Sequence, residues 1–207
     1  MACVPEPLAP VTLTGTHARL EPLSLDHAEA LAAAAAVDRS TFELTWVPDS
    51  VDAARSYIAG LLDDHAAGRV LPFAQRRLDT DQVVGCTRYL DMRWWRGRPE
   101  PDEIEIGGTW LGADAQRTAV NTEAKFLLLK YAFEELDVWR VAICTDARNQ
   151  RSRDAILRIG ASFEGLLRNH RLRADTDAPS PRQTAVYSIV GDEWPDVKRS
   201  LEGRLGR

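Results

Sequence analysis

The chain has 207 residues, of which 44% are hydrophobic and 28% charged, with a net charge of −5 and a pI near 5.4. These values fit a soluble globular protein and do not mark a nucleic-acid binder, whereas a mildly acidic surface suits cationic substrates such as amines. Cys3, Cys86 and Cys144 are odd in number and far apart, and the four histidines share no ligand spacing. That pattern offers neither a disulfide framework nor a metal site and points to a reducing, cytoplasmic location.

Residues 1–10 hold three prolines and no apolar core, which predicts a loose tail rather than a signal peptide. Residues 11–207 are expected to form one domain. Residues 11–24 alternate around a glycine and read as one or two short strands. Ser24 caps a helix over 25–37, and Asp49 or Ser50 caps a second over 51–68, in which Ala54, Ile58, Leu61 and Leu62 recur at helical spacing. Segments 69–78 and 83–92 read as strand, turn, strand. A polar loop with Trp94 and Trp95 follows. Alternation resumes in "EIEIGGTWL", Glu103 to Leu111, until Gly107 and Gly108, where a strand bulges or splays.

The stretch from Gln116 to Leu136 is a polar turn running into an apolar helix. Ala124, Leu127, Leu128, Tyr131 and Ala132 form one stripe, widened by Phe126, Leu129, Phe133 and Leu136, so the helix is expected to be mostly buried. Residues 139–145 alternate as a strand. Asn149 caps a helix over 150–159 that ends at Gly160. Segments 162–173 and 184–194 read as strands joined by a Pro-rich loop, and Pro195 opens a closing helix. This order predicts an α/β (mixed α+β) sheet with flanking helices and locally parallel strands at the crossovers.

The turn before the long helix allows two readings. One is a plain Thr or Asn cap. The other is an anion site, because the first-turn N–H groups lack partners and the helix dipole favours negative charge. No Gly-x-Gly-x-x-Gly follows a strand, which argues against a nucleotide oxidoreductase.

Taken in order, "EIEIGGTWL", "QRTAVN" and "NQRSRDAILRIG" resemble the GNAT acyl-CoA N-acyltransferases. The family's pyrophosphate loop reads Gln/Arg-x-x-Gly-x-Gly/Ala. Gln116 matches its first position, while Ala119 and Asn121 replace the small residues, and Asn121 is the one better suited to left-handed backbone. "EGLLRNHRL…VYSIVGDEWPDV" is similar to the end of the Rim-type ribosomal-protein N-terminal acetyltransferases. The resemblance implies a mixed sheet of about seven strands with a splayed central pair. It implies transfer of an acetyl group from acetyl-CoA to a primary amine, by direct attack in a ternary complex. The acceptor would be a ribosomal or other protein N-terminus, or a small amine. No metal, membrane or nucleic-acid partner is expected, and the protein would be a monomer or homodimer. Implied cofactor contacts are Ile106, Gly107, Thr109 and Leu111 on the strand, and Gln116, Arg117, Thr118, Ala119, Val120, Asn121 and Thr122 in the turn. Asn149, Ser152 and Arg153 complete the set, within a positive rim of Arg148, Arg151 and Arg153.

Acylation of an amine needs a base, a polarised carbonyl, a stabilised thiolate and above all positioning. Glu105, just before the bulge, is the candidate base, with Glu103 second. A strand N–H near Ile106 or Gly107 is placed to polarise the carbonyl. The family's tyrosine acid falls on Ile156, so Ser152 is the nearest substitute. Trp46, Phe73, Arg88 and Trp110 are expected to line the acceptor pocket. Cys144, mid-strand with no histidine near it in sequence, reads as packing. A module that holds CoA without turnover is the alternative.

Overall fold

The computed structural model describes residues 6–206. In chain order it contains β1 (Leu13–Thr14), β2 (Ala18–Pro22), α1 (Ala28–Ala36), α2 (Val51–Ala66), β3 (Leu71–Arg77), β4 (Gln82–Arg93) and β5 (Glu103–Leu111). The second half contains α3 (Ala119–Lys130), β6 (Arg140–Asp146), α4 (Gln150–Arg158), β7 (Ser162–Leu172), β8 (Pro181–Val190) and α5 (Trp194–Arg204). Residues 1–5 of the expected tail, including Cys3, lie outside the described residues. Leu8 packs against the core, and its carbonyl meets His65 Nε2 at 2.9 Å.

The strands form one eight-stranded sheet in the order β1-β2-β3-β4-β5-β6-β8-β7, antiparallel except for β5–β6. Strand alternation sends apolar side chains to both faces. On one face Leu31 and Ala35 of α1 and Ile58 of α2 are buried with Ala74, Cys86 and Trp110. On the other, Leu128 and Leu129 of α3, Ile156 of α4 and Leu201 of α5 are buried with Phe73, Tyr89, Ile104, Ile106 and Tyr187. Each large side chain so buried contributes about 1.5–3 kcal/mol. Ser50, rather than Asp49, caps α2 by accepting from Ala53 N at 3.2 Å.

β5 and β6 are the hinge of the architecture. They pair only at Glu103↔Arg140, Ile104↔Val141 and Glu105↔Ala142, although both continue for several residues. The expected splay is therefore present and begins just past Glu105. Opposite β4, the register slips between Cys86↔Trp110 and Arg88↔Gly107, with Gly108 at φ +57°. That φ favours glycine, and a Cβ there would also press on the movable end of Arg88, 2.6 Å from its guanidinium carbon.

α3 is tied to the far edge of the sheet. The fully buried Glu123 carboxylate accepts the backbone N–H of Thr16 at 2.9 Å, His17 at 2.5 Å and Ala18 at 2.6 Å.

Two elements differ from the sequence reading. The long helix is α-helical only to Lys130 and then widens into a π turn over Tyr131–Glu135, with Leu136 N donating to Tyr131 O at 3.0 Å. The extra residue keeps Ala132 and Leu136 in the core while Phe133 stacks on Trp194 at 5.5 Å. The last strand stops at Val190, because Gly191–Glu193 forms a 3-10 turn in which Glu193 accepts from Val190 N at 3.0 Å. The loop tryptophans also find partners. Trp94 Nε1 donates to Pro99 O at 2.9 Å, and Trp95 stacks on Trp139 at 6.5 Å.

Candidate active site

The parted strands divide the site into a side facing the start of α3 and a side facing the open sheet surface around Glu105. At α3, Thr118 is the cap: its Oγ1 accepts from Val120 N at 3.3 Å and donates to Ala115 O at 2.7 Å. Ala119, Val120, Asn121 and Thr122 thus form the first helical turn. The left-handed residue of the turn is Arg117, at φ +61°, and not Asn121. The helix starts earlier than the Gly/Ala frame suggests, so the reversal falls before the cap. Gln116 Nε2 donates to Leu111 O at 2.9 Å and to Thr41 Oγ1 at 3.1 Å. Arg151 donates to Thr41 O at 2.5 Å and Gln116 Oε1 at 3.4 Å. The connection between α1 and α2 is therefore clasped over the turn through Thr41, a contact that nothing in the sequence pattern announces.

On β5 the side chains of Ile106 and Leu111 are buried in separate apolar clusters. Thr109 Oγ1 bonds Thr87 Oγ1 at 2.8 Å and accepts from Lys125 Nζ at 2.7 Å. Lys125 is only 6% exposed, and burial pushes its ammonium down to about 7.

The expected rim of arginines is largely engaged elsewhere. Arg148 pairs with Asp146 at 2.7 Å and Asp175 at 3.0 Å. Arg153 donates to Tyr187 OH at 3.0 Å and Ala147 O at 3.3 Å and lies over the Phe163 ring. Its guanidinium is thus held against the sheet by three groups. Asn149 Oδ1 accepts from Ser152 N at 3.0 Å, the cap expected of it. Ile156 is buried in the core and offers no proton. Arg158 and Arg204 instead line a cavity of about 270 Å³ with Ala119, Thr122, Ile159 and Leu205, beside the first turn of α3.

On the open face, Glu105 is 4% exposed and held by Arg171, whose Nη1 and Nη2 reach its two oxygens at 3.1 and 2.7 Å. Arg171 Nη2 also meets Asp91 Oδ2 at 2.5 Å. Burial works against the Arg171 cation, but Glu105 and Asp91 outweigh it and hold the guanidinium above its ordinary range. Backbone irregularity aims these groups. Asp91 has φ +48° at a β4 register shift, and Asn169, at φ +50°, lies in the β7 shift that precedes Arg171. The Cys144 thiol is pushed up to about 12, first by burial and then by Glu105, so it is not a ready nucleophile. Glu103 is taken by Arg140, which also binds Glu164.

Two of the four expected pocket residues join this face. Arg88 Nη1 donates to Tyr57 OH at 3.3 Å beside Gly108, and Trp46 packs on Tyr57 at 5.6 Å. The other two belong to the core. Phe73 is fully buried on the α3 face, edge-on to Tyr89, and Trp110 is buried under α1, edge-on to Phe42. Both lie on apolar strand positions whose faces the helices cover.

Residues 17–162 match the model of the acetyltransferase (GNAT) domain. The chain belongs to this GNAT family. Among solved structures, a T. thermophilus protein provisionally named an acetyltransferase is 33% identical over 96% of this chain and 98% of its own, with a TM-score of 0.79. Mycobacterium smegmatis RimJ in complex with CoA-disulfide shares the fold at 21% identity, over 98% of both chains, with a TM-score of 0.78. A Bacillus subtilis protein provisionally named ribosomal N-acetyltransferase YdaF is 40% identical over 91 residues, 44% of this chain. That match spans about half of the relative, 48%. This GNAT chain has no helix, among its described residues, long and apolar enough to cross a membrane.

Proposed function

We propose that the protein is an acetyl-CoA-dependent N-acetyltransferase, with residues 11–207 as its single catalytic domain. The observation that carries this reading is the parting of β5 from β6 directly after Glu105. It sets a buried carboxylate at the point where the two strands part. The residues fit an acyl-CoA. Beyond Glu105 the β5 backbone has no β6 partner, and the first turn of α3 adds N–H donors that favour phosphate. Arg158 and Arg204 supply positive charge beside that turn.

Acetyl-CoA supplies the activated acetyl group as a thioester. Glu105 takes a proton from the acceptor amine, directly or through water. Arg171 and Asp91 keep that carboxylate in place. Backbone N–H groups at Ile106 or Gly107 polarise the carbonyl. The Tyr57–Arg88–Trp46 wall bounds the acceptor, a protein N-terminus or a small amine. The provisional name of the B. subtilis relative favours ribosomal protein N-termini as the first to try. The protein would act in the cytoplasm as a monomer or homodimer.

The buried Ile156, in a position where a proton donor would serve the leaving thiol, favours a second reading: a module that binds CoA without turnover. Thiol release from acetyl-CoA with a panel of amines, beside CoA binding by calorimetry, separates the two. CoA binding without turnover of any amine would leave only the module.

A further inference from the structure

On the open face around Glu105, one guanidinium has no ion-pair partner among the described residues. β7 and β8 set Arg171 and Arg182 directly opposite one another in register. Like charges so placed repel. Arg171 is neutralised by Glu105 and Asp91. Arg182 is not. Among the described residues its hydrogen bonds run only to Thr184 Oγ1, from Nε at 3.3 Å and Nη2 at 3.2 Å. No carboxylate among them lies within the 4.0 Å of an ion pair.

The Arg182 side chain is also partly buried, and burial, followed by the Arg171 charge, pushes its guanidinium below its ordinary range. Burying a cation that no carboxylate touches is unfavourable, and the nearby Asp146 and Glu105 charges offset that only in part. The side chain folds back along its own strand over Thr184, into the same charged surface as Asp146 and Glu105, both of which act on it electrostatically. Its Nη1 group has no hydrogen-bond partner among the described residues.

We propose that Arg182 selects the acceptor by binding a carboxylate that lies a few atoms from the reacting amine. This rests on the N-acetyltransferase reading above. A planar guanidinium can take a carboxylate through two parallel bonds, a match that neither an amide nor a hydroxyl reproduces. Glu105 faces the amine and Arg182 the carboxylate, so the groove is matched to a zwitterionic end of the acceptor. Two sources carry that chemistry: a free amino acid, and a peptide with an acidic side chain next to its N-terminal residue.

The test measures thiol release from acetyl-CoA by the full chain with two matched pairs. Glycine against glycinamide represents the free amino acid. Ala-Asp-Ala-amide against Ala-Asn-Ala-amide represents the peptide. The readout is the carboxylate-to-amide ratio of kcat/KM, compared between the wild type and Arg182→Gln, which cancels differences in amine basicity. The ratio is expected to fall at least about tenfold in one pair, a change of about 1.4 kcal/mol, and Arg182→Lys should retain part of it. The pair that responds identifies the source. An unchanged ratio in both pairs overturns the proposal. If no amine turns over, the N-acetyltransferase reading fails instead, and NMR titration of glycine and Ala-Asp-Ala-amide into wild type and Arg182→Gln then decides. Binding lost in the variant supports the carboxylate site; equal or absent binding in the two proteins overturns it.

Discussion

On one side of β5 the functional groups come from neighbouring residues. Gln116, Arg117 and Thr118 shape the turn, and the first residues of α3 supply its N–H groups, all within one short stretch. On the other side, Glu105 of β5 meets Asp91 of β4 and Arg171 of β7, brought together across the sheet by two register shifts. A helix terminus is a ready-made site that local sequence suffices to build. A charged groove on a sheet exists only after distant strands have paired. The first is fixed in kind by its backbone; the second can be retuned by single side chains, as the pairing of Arg171 and not Arg182 illustrates.

The sharpest break in this comparison is Glu105→Gln. Removing the base should lower turnover by roughly 10²–10⁴-fold, with CoA affinity by calorimetry unchanged because the α3 side is untouched. Equal turnover of variant and wild type across pH would remove Glu105 from the chemistry. Next in size is Glu123→Ala on the α3 side. Losing a buried carboxylate that holds three N–H groups should cost roughly 3 kcal/mol of unfolding free energy in urea. A change within experimental error would mean that α3 does not depend on its tie to β2.

Lys125 gives a pH-shaped effect. The unfolded chain keeps this proton up to the ordinary lysine value of 10.5, whereas the native protein releases it at about 7. Between those values the unfolded state binds more protons, so stability should rise with pH, by at most about 1.4 kcal/mol per unit. Lys125→Met should flatten that rise in urea titrations at successive pH values; an equal slope in the variant assigns the rise to other groups. The smallest effect is expected from Thr118→Ala, which removes the α3 cap at about 1 kcal/mol of stability and should weaken CoA binding measurably. CoA affinity equal to wild type would show that the turn keeps its shape without the cap.

Much of the fold is legible in the sequence because it follows from short-range rules. Caps at Ser50 and Asn149, the apolar stripe of α3 and the di-glycine in β5 each state their own structure, whereas a Thr or Asn cap for α3 is legible but its place at Thr118 is not. Glu105 stands out for the same reason, as the carboxylate beside the bulge. Arg171 and Arg182 do not, because 66 residues separate Arg171 from Glu105 and arginines surround it in sequence. Of the arginines singled out by proximity to Asn149, Arg148 and Arg153 each find a protein partner that periodicity does not reveal. Phe73 and Trp110 likewise show that an aromatic suited to a pocket is equally suited to a core, and only the covering helix decides.

The carboxylate of Glu123 also bears on the order in which the protein assembles. The turn into β2 is synthesised about a hundred residues before the side chain that holds the amides of Thr16, His17 and Ala18, as the separations of 105 to 107 residues show. The strand partner of β2 is β3, which arrives earlier, but one end of β2 must wait for α3. Contacts of such long sequence separation form late and slowly, because the closure of the intervening chain precedes their reward. β1 and β2, made well before α3, are therefore among the last to lock, and a chain stopped before α3 would carry an unfinished sheet edge open to pairing with its neighbours.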